Sequence, residues 1–198
     1  MRKRTLWALG AVGVLCVAAL AFFLGKDLIS TSATKIQHDF ELKAHETFLR
    51  SIKENAGSPT PFRSDGCSGG LSTAWRALSK RFPALAEAHQ DSPPWEHCCV
   101  SHDRAYHEAG GAKDAPESDA LRLAADKALR HCVRETGRER IPELAARYGL
   151  TVEQIEAMYK VLAETMFDAV RVGGLPCSGL PWRWGYGYPP CSRDAENP

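Results

Sequence analysis

Apolar and polar positions alternate along the chain in ways that mark out its elements. From Leu6 to Leu24 there is no charged residue, a run of 19 behind the cluster Arg2, Lys3 and Arg4. That length suits a bilayer-spanning helix. Residues 26–56 scatter Ile36, Phe40, Leu42, Phe48, Leu49 and Ile52 among charges, the pattern of an amphipathic helix or stalk. The breakers from Ala56 to Pro61 end it. A Gly-rich loop, Asp65 to Gly70, leads into a helix-like stretch from about Leu71 to Lys80 and a Pro-containing segment to Pro94. Trp95–Glu108 is helical in character and stops at Gly110 and Gly111. Ser118–Thr136 predicts a strong helix with Leu121, Ala124, Ala128, Leu129 and Val133 on its apolar stripe. Thr151 to Gln154 carries an N-terminal signal for a last helix to about Val172, with Met158 and Met166 as core residues. The tail, Pro176 to Cys191, is rich in Gly, Pro, Trp and Tyr and has no period. No strand pair or internal repeat is discernible, so the expected fold is all-α with irregular loops.

Three domains of sequence follow: 1–25 as an N-terminal transmembrane anchor or signal, 26–60 as stalk and linker, and 61–198 as one helical domain. The basic cluster would remain in the cytoplasm and the body would be exported. The length of the apolar run favours an uncleaved anchor; a secreted product follows if the leader is cut. Charge adds little beyond that. Of 25 Lys and Arg, three precede the apolar run, and the other 22 face 24 Asp and Glu. This faintly acidic body makes no electrostatic case for nucleic acid.

Cysteine usage fits export. Cys16 lies in the apolar run, and Cys67, Cys98, Cys99, Cys132, Cys177 and Cys191 form an even set. Six cysteines read as three disulfides, with 15 pairings open by count alone. Pairing Cys177 with Cys191 would close the aromatic tail and contribute roughly 3 kcal/mol. Trp182, Arg183, Trp184, Tyr186 and Tyr188 would then pack on the domain; the other reading places these rings at a lipid–water interface.

The chemistry is concentrated between Cys98 and Tyr106. On one helix, residues four apart share a face. Cys98, His102 and Tyr106 then form one row, and Cys99 and Asp103 its neighbour. If an antiparallel Ser118–Thr136 helix bonds Cys132 to Cys98, Asp126 lies ~9 Å from the staple, while His102 and Tyr106 lie ~6 and ~12 Å from it. A carboxylate there would orient His102 as a general base. If Cys99 bonds Cys67, Asp103 meets the glycine loop, whose carbonyls with a carboxylate are hard oxygen ligands suited to calcium. A zinc site from His97, Cys98, Cys99, His102 and His107 is disfavoured, because adjacent cysteines on a helix diverge by about 100° and oxidised sulfur does not ligate. His97, His107 and His131 are expected at the surface or as filler. Asp114, Glu117 and Asp119 read as charges at a helix start.

Two cysteines, two spacers, His-Asp, two spacers and Tyr resemble the active-site helix of secreted phospholipases A2. Asp126, six residues before Cys132, is similar to that family's second catalytic aspartate, and Gly66-Cys67-Ser68-Gly69-Gly70 resembles its calcium loop. The resemblance spans roughly Pro61 to Cys132. It implies a disulfide-stapled, all-α domain with an antiparallel active-site helix pair and a Gly-rich calcium loop. It implies His102 as base, Asp126 as its partner and Tyr106 as support. Calcium would be held by Asp103 and the carbonyls of Gly66, Ser68 and Gly70. The implied disulfides are Cys67–Cys99 and Cys98–Cys132, and the implied reaction is hydrolysis of a glycerophospholipid acyl ester at a membrane surface. The alternative from another class is a catalytically weak module that binds lipid or a protein partner.

Overall fold

The computed structural model describes residues 35–55, 58–67, 75–77, 80–81 and 92–191. The apolar leader, the first part of the expected stalk, the breaker pair Ala56-Gly57 and loop residues Ser68, Gly69 and Gly70 lie outside them. So does most of the expected Leu71–Lys80 helix, of which residues 75–77 and 80 are helical. The chain divides into two units, Met1–Glu41 and Leu42–Pro198. In the first, residues 35–41 are helical. Among the described residues there is no strand, and no helix is long and apolar enough to cross a membrane.

The second unit opens with helix α1, residues 42–55. Among the described residues, helices α2 (Glu96–Glu108), α3 (Ala115–Glu139), α4 (Ile141–Tyr148) and α5 (Val152–Gly173) follow in its later part. Their ends obey local chemistry. A left-handed Ala109 stops α2, followed by Gly110 and Gly111 at positive φ. Asp114 caps α3 by accepting from the Glu117 backbone N–H, with Pro116 in the first turn. Thr151 and Gln154 form the reciprocal capping box of α5. The short α4 has no counterpart in the sequence expectation, although Pro142 at its start and left-handed Gly149 at its end are its signals.

Three disulfides staple this unit: Cys67–Cys99, Cys98–Cys132 and Cys177–Cys191. The Cys98–Cys132 bond and the contacts of His102 and Tyr106 with Asp126 and Arg122 run in opposite chain order, so α2 and α3 are antiparallel. Two apolar clusters flank the pair. One joins Leu129, Val133, Leu144, Ile155, Tyr159, Ala163 and Met166 beneath the two α2 cysteines. The other joins Phe48, Tyr106, Ala109, Ala125 and Trp184.

Three expectations change here. Residues 42–55 form the helix that one reading expected, but it packs into the second unit: Phe48 and His45 are buried there, and Trp184 packs beside them. On α3 Leu129 and Val133 are buried as expected, but the buried face also holds Ser118, Arg122, Ala125 and Asp126, whereas Ala124 and Ala128 are exposed. The polar members are buried because partners satisfy them, His45 of α1 and Trp184 of the tail at Ser118, and residues of α2 and α5 at Arg122 and Asp126. Met158 is exposed and only Met166 enters the core. The tail packs on the domain as one reading expected. Gly185 N–H donates to the Tyr106 carbonyl at 2.7 Å and Gly187 N–H to that of His107 at 3.3 Å, satisfying orphan carbonyls at the end of α2. At Gly185, with φ 73°, an added Cβ would lie 2.1 Å from Phe48 Cε2. Only glycine allows this approach.

Candidate active site

The first row of α2 meets α3 as its spacing suggested. His102 Nε2 lies 2.9 Å from Asp126 Oδ1. Tyr106 donates its hydroxyl hydrogen to the same oxygen at 2.7 Å, and the His102 and Tyr106 rings are 4.1 Å apart. Asp126 is fully buried. An ionised carboxylate only accepts, so the imidazole proton sits on Nε2 and Nδ1 is the free base position. Burial pushes the Asp126 pKa upward, but hydrogen bonds from His102 and Tyr106 and the nearby positive charge outweigh it. The carboxyl is therefore held below its ordinary value. Burial and the Asp126 charge both raise the Tyr106 phenol, so it stays a neutral donor.

Two arginines that the sequence reading missed complete this end. Arg171 Nη1 reaches Asp126 Oδ2 at 3.1 Å. Arg122 Nε donates to the Tyr106 oxygen at 3.2 Å, and its Nη2 donates to the carbonyls of Val170 and Arg171. Arg122 had a signal, since it falls four residues before Asp126 on the same helix row. Arg171 had none, because its partner lies 45 residues away.

The second row meets the loop through Cys67–Cys99. Asp103 Oδ2 accepts from Ser64 Oγ, another residue the sequence did not single out, and Ser64 Oγ accepts from Gly66 N–H at 3.1 Å. Gly66 has φ 84°, within glycine's range. Burial pushes the Asp103 pKa up to about 6 against the pull of Ser64, and neighbouring Asp65 adds to the rise. A buried carboxylate bonded to a neutral hydroxyl and facing a second acid has its charge poorly compensated. A hard divalent cation held by Asp103 and backbone carbonyls would compensate it, so the donor set fits calcium. Ser68 and Gly70 fall outside the described residues.

Two cavities adjoin at Asp103. The first, about 80 Å³, has His102, Asp103 and Tyr106 on one side and Leu129, Met166, Val170 and Trp182 on the others. The second, about 310 Å³, is lined by Arg63, Ser64, Asp65, Asp103, Pro181, Trp182 and Tyr186. An apolar slot thus opens beside a charged one, with His102 at the wall of the former.

The remaining histidines separate. His97 is exposed, with Nε2 at 3.4 and 3.5 Å from the Cys98 and Cys132 sulfurs. Those sulfurs are bonded to each other, so this grouping is not a metal site as it stands. His131 is exposed, while His107 is buried between the rings of Phe62 and Tyr186. Asp114 is the α3 cap, and Asp119 lies 3.6 Å from Arg171 Nη2.

No protein-family model, curated protein or solved structure matches the chain.

Proposed function

We propose that the protein is a calcium-dependent ester hydrolase of the phospholipase A2 type, with a phospholipase A2-like helical fold. One observation carries the reading: His102 lines a cavity while its Nε2 is committed to a buried, ionised Asp126. That leaves Nδ1 to take a proton from water as the water oxygen attacks the ester carbonyl carbon. Asp126 stabilises the imidazolium, and Tyr106 holds Asp126 in place. His102 then returns the proton to the departing alkoxide oxygen, giving a fatty acid and a lysophospholipid. Asp103 with the backbone of Gly66, Ser68 and Gly70 would hold calcium, which when bound polarises the carbonyl and stabilises the oxyanion. The apolar cavity beside a charged one suits an amphiphile, and the sn-2 position follows from the resemblance. Three disulfides accord with an exported body anchored by the apolar leader.

The test is fatty-acid release by the full chain from phosphatidylcholine vesicles, with calcium or chelator, beside a small soluble ester. Calcium-dependent release from the vesicles is expected; preference for the soluble ester would redirect the substrate class. Asp103→Asn should abolish calcium heats in calorimetry with helix content unchanged. Wild-type calcium affinity in that variant would remove Asp103 from the ligand set.

A further inference from the structure

Asp126 uses its two oxygens differently. Oδ1 accepts from His102 and Tyr106, while Oδ2 accepts from Arg171. Arg171 comes from the last turn of α5, with its side chain 19% exposed. Its other nitrogen, Nη2, lies 3.6 Å from Asp119 Oδ1, so one guanidinium bridges two carboxylates spaced two turns apart on α3. Arg122 stands between those acids on the same face. It is fully buried and donates both to the Tyr106 oxygen and to the end carbonyls of α5. The negative end of a helix favours such a cation.

This arrangement fixes the direction of every hydrogen bond around Asp126. A guanidinium only donates, so the Tyr106 oxygen accepts from Arg122, and its single hydrogen goes to the nearer acceptor, Asp126 Oδ1 at 2.7 Å, over the Val170 carbonyl at 3.4 Å. Held through Oδ1 alone, the carboxylate would be free to swing about its last side-chain torsion. The Arg171 bond to Oδ2 prevents that, and Arg122 anchors the helix end from which Arg171 reaches. The geometry points to Arg171 as a positioning residue: it locks Asp126 so that Oδ1 meets His102 Nε2 and Nδ1 stays turned toward the substrate. The catalytic consequence rests on the hydrolase reading; the locking of the imidazole does not.

The test compares Arg171→Met, Arg171→Lys and Asp119→Asn in the full chain. The readouts are kcat and KM on phosphatidylcholine vesicles with calcium, and the proton NMR signal of the His102 Nε2–H. That signal is assigned by its loss in His102→Gln. Arg171→Met should lower kcat about ten- to a hundredfold, as loss of a group that orients a functional ligand does, with KM within about twofold. Its ring-proton signal should broaden or vanish. Arg171→Lys keeps one charged donor without the planar fork, so it should recover part of both, leaving kcat about three- to tenfold low. Asp119→Asn leaves the Arg171–Asp126 bond and should change kcat less than about threefold. Wild-type kcat and an unchanged ring-proton signal in Arg171→Met overturn the proposal. Should that variant not fold, wild-type values for both readouts in Arg171→Lys do the same. If wild type releases no fatty acid, the hydrolase reading falls, and the ring-proton signal alone still decides the positioning role.

Discussion

His102 and His45 meet the same helix two turns apart, and each finds a carboxylate and a hydroxyl there. His102 has Asp126 at 2.9 Å and Tyr106 beside it. His45 has Ser118 Oγ at 2.8 Å from Nδ1 and Asp119 Oδ1 at 3.7 Å from Nε2. By residue type the second set has the composition of a serine hydrolase triad, and Arg171 links the two acids. Access separates them. His45 and Ser118 have no exposed surface, and Trp184 covers them by donating to Ser118 Oγ at 3.0 Å. His102 borders a cavity and retains 7% exposure. A functional set of side chains therefore becomes a site only where substrate can arrive; otherwise the same chemistry serves packing.

Perturbing each region should produce a different kind of loss. The largest effect belongs to the open side: Asp126→Asn should lower kcat about 10³-fold, since His102 loses the anion that orients and stabilises it. Steady-state kinetics on phospholipid vesicles measures this, and a loss under tenfold would separate Asp126 from the base.

The sealed side should answer in stability. Burial holds the His45 pKa down at about 4, against an ordinary value of 6.5. The folded state thus binds fewer protons there than the unfolded state between those values. The contribution is fully present above pH 6.5 and disappears as pH falls toward 4, amounting to roughly 3 kcal/mol. Urea unfolding at pH 7, 5 and 4 should show the decline, and His45→Gln should flatten it. An equally steep decline in that variant would assign acid sensitivity elsewhere. Gly185→Ala, forced against Phe48 at positive φ, should destabilise by about 2 kcal/mol, read as a lowered Tm. Smallest of all, Trp182→Ala on the cavity wall should raise KM a few-fold, about 1 kcal/mol of binding, with Tm unchanged. A lowered Tm without a change in KM would make Trp182 a packing residue.

The open side was far more legible in the sequence than the sealed one. Helical spacing alone aligns Cys98, His102 and Tyr106, and the antiparallel partner places Asp126 between the latter two. Its support was hidden, because Arg122 and Arg171 are residue types that ordinarily lie at the surface. Only the fold shows that they neutralise buried acids. His45 and Phe48 were read as helix or stalk outside the domain because charges surround them and their partners, Ser118 and Trp184, lie more than 70 residues away. The stripe of α3 was legible in part: Leu129 and Val133 are buried as expected, while apolar Ala124 and Ala128 face solvent and Ser118, Arg122 and Asp126 turn inward. The expected helix stops at Thr136, which would leave Gly137 just outside it. Gly137 is instead an interior helix position where any Cβ would lie 2.2 Å from the Tyr159 ring.

In the proposed phospholipid hydrolase His102, and not the similarly equipped His45, is the base. This assignment is tested most directly by calcium-dependent fatty-acid release from phosphatidylcholine vesicles with wild type, His102→Gln and His45→Gln side by side, each shown by circular dichroism to be folded. Wild type should release fatty acid, His45→Gln should release it within about threefold of wild type, and His102→Gln should give none measurable above background. Release by His102→Gln at the wild-type rate would contradict the assignment.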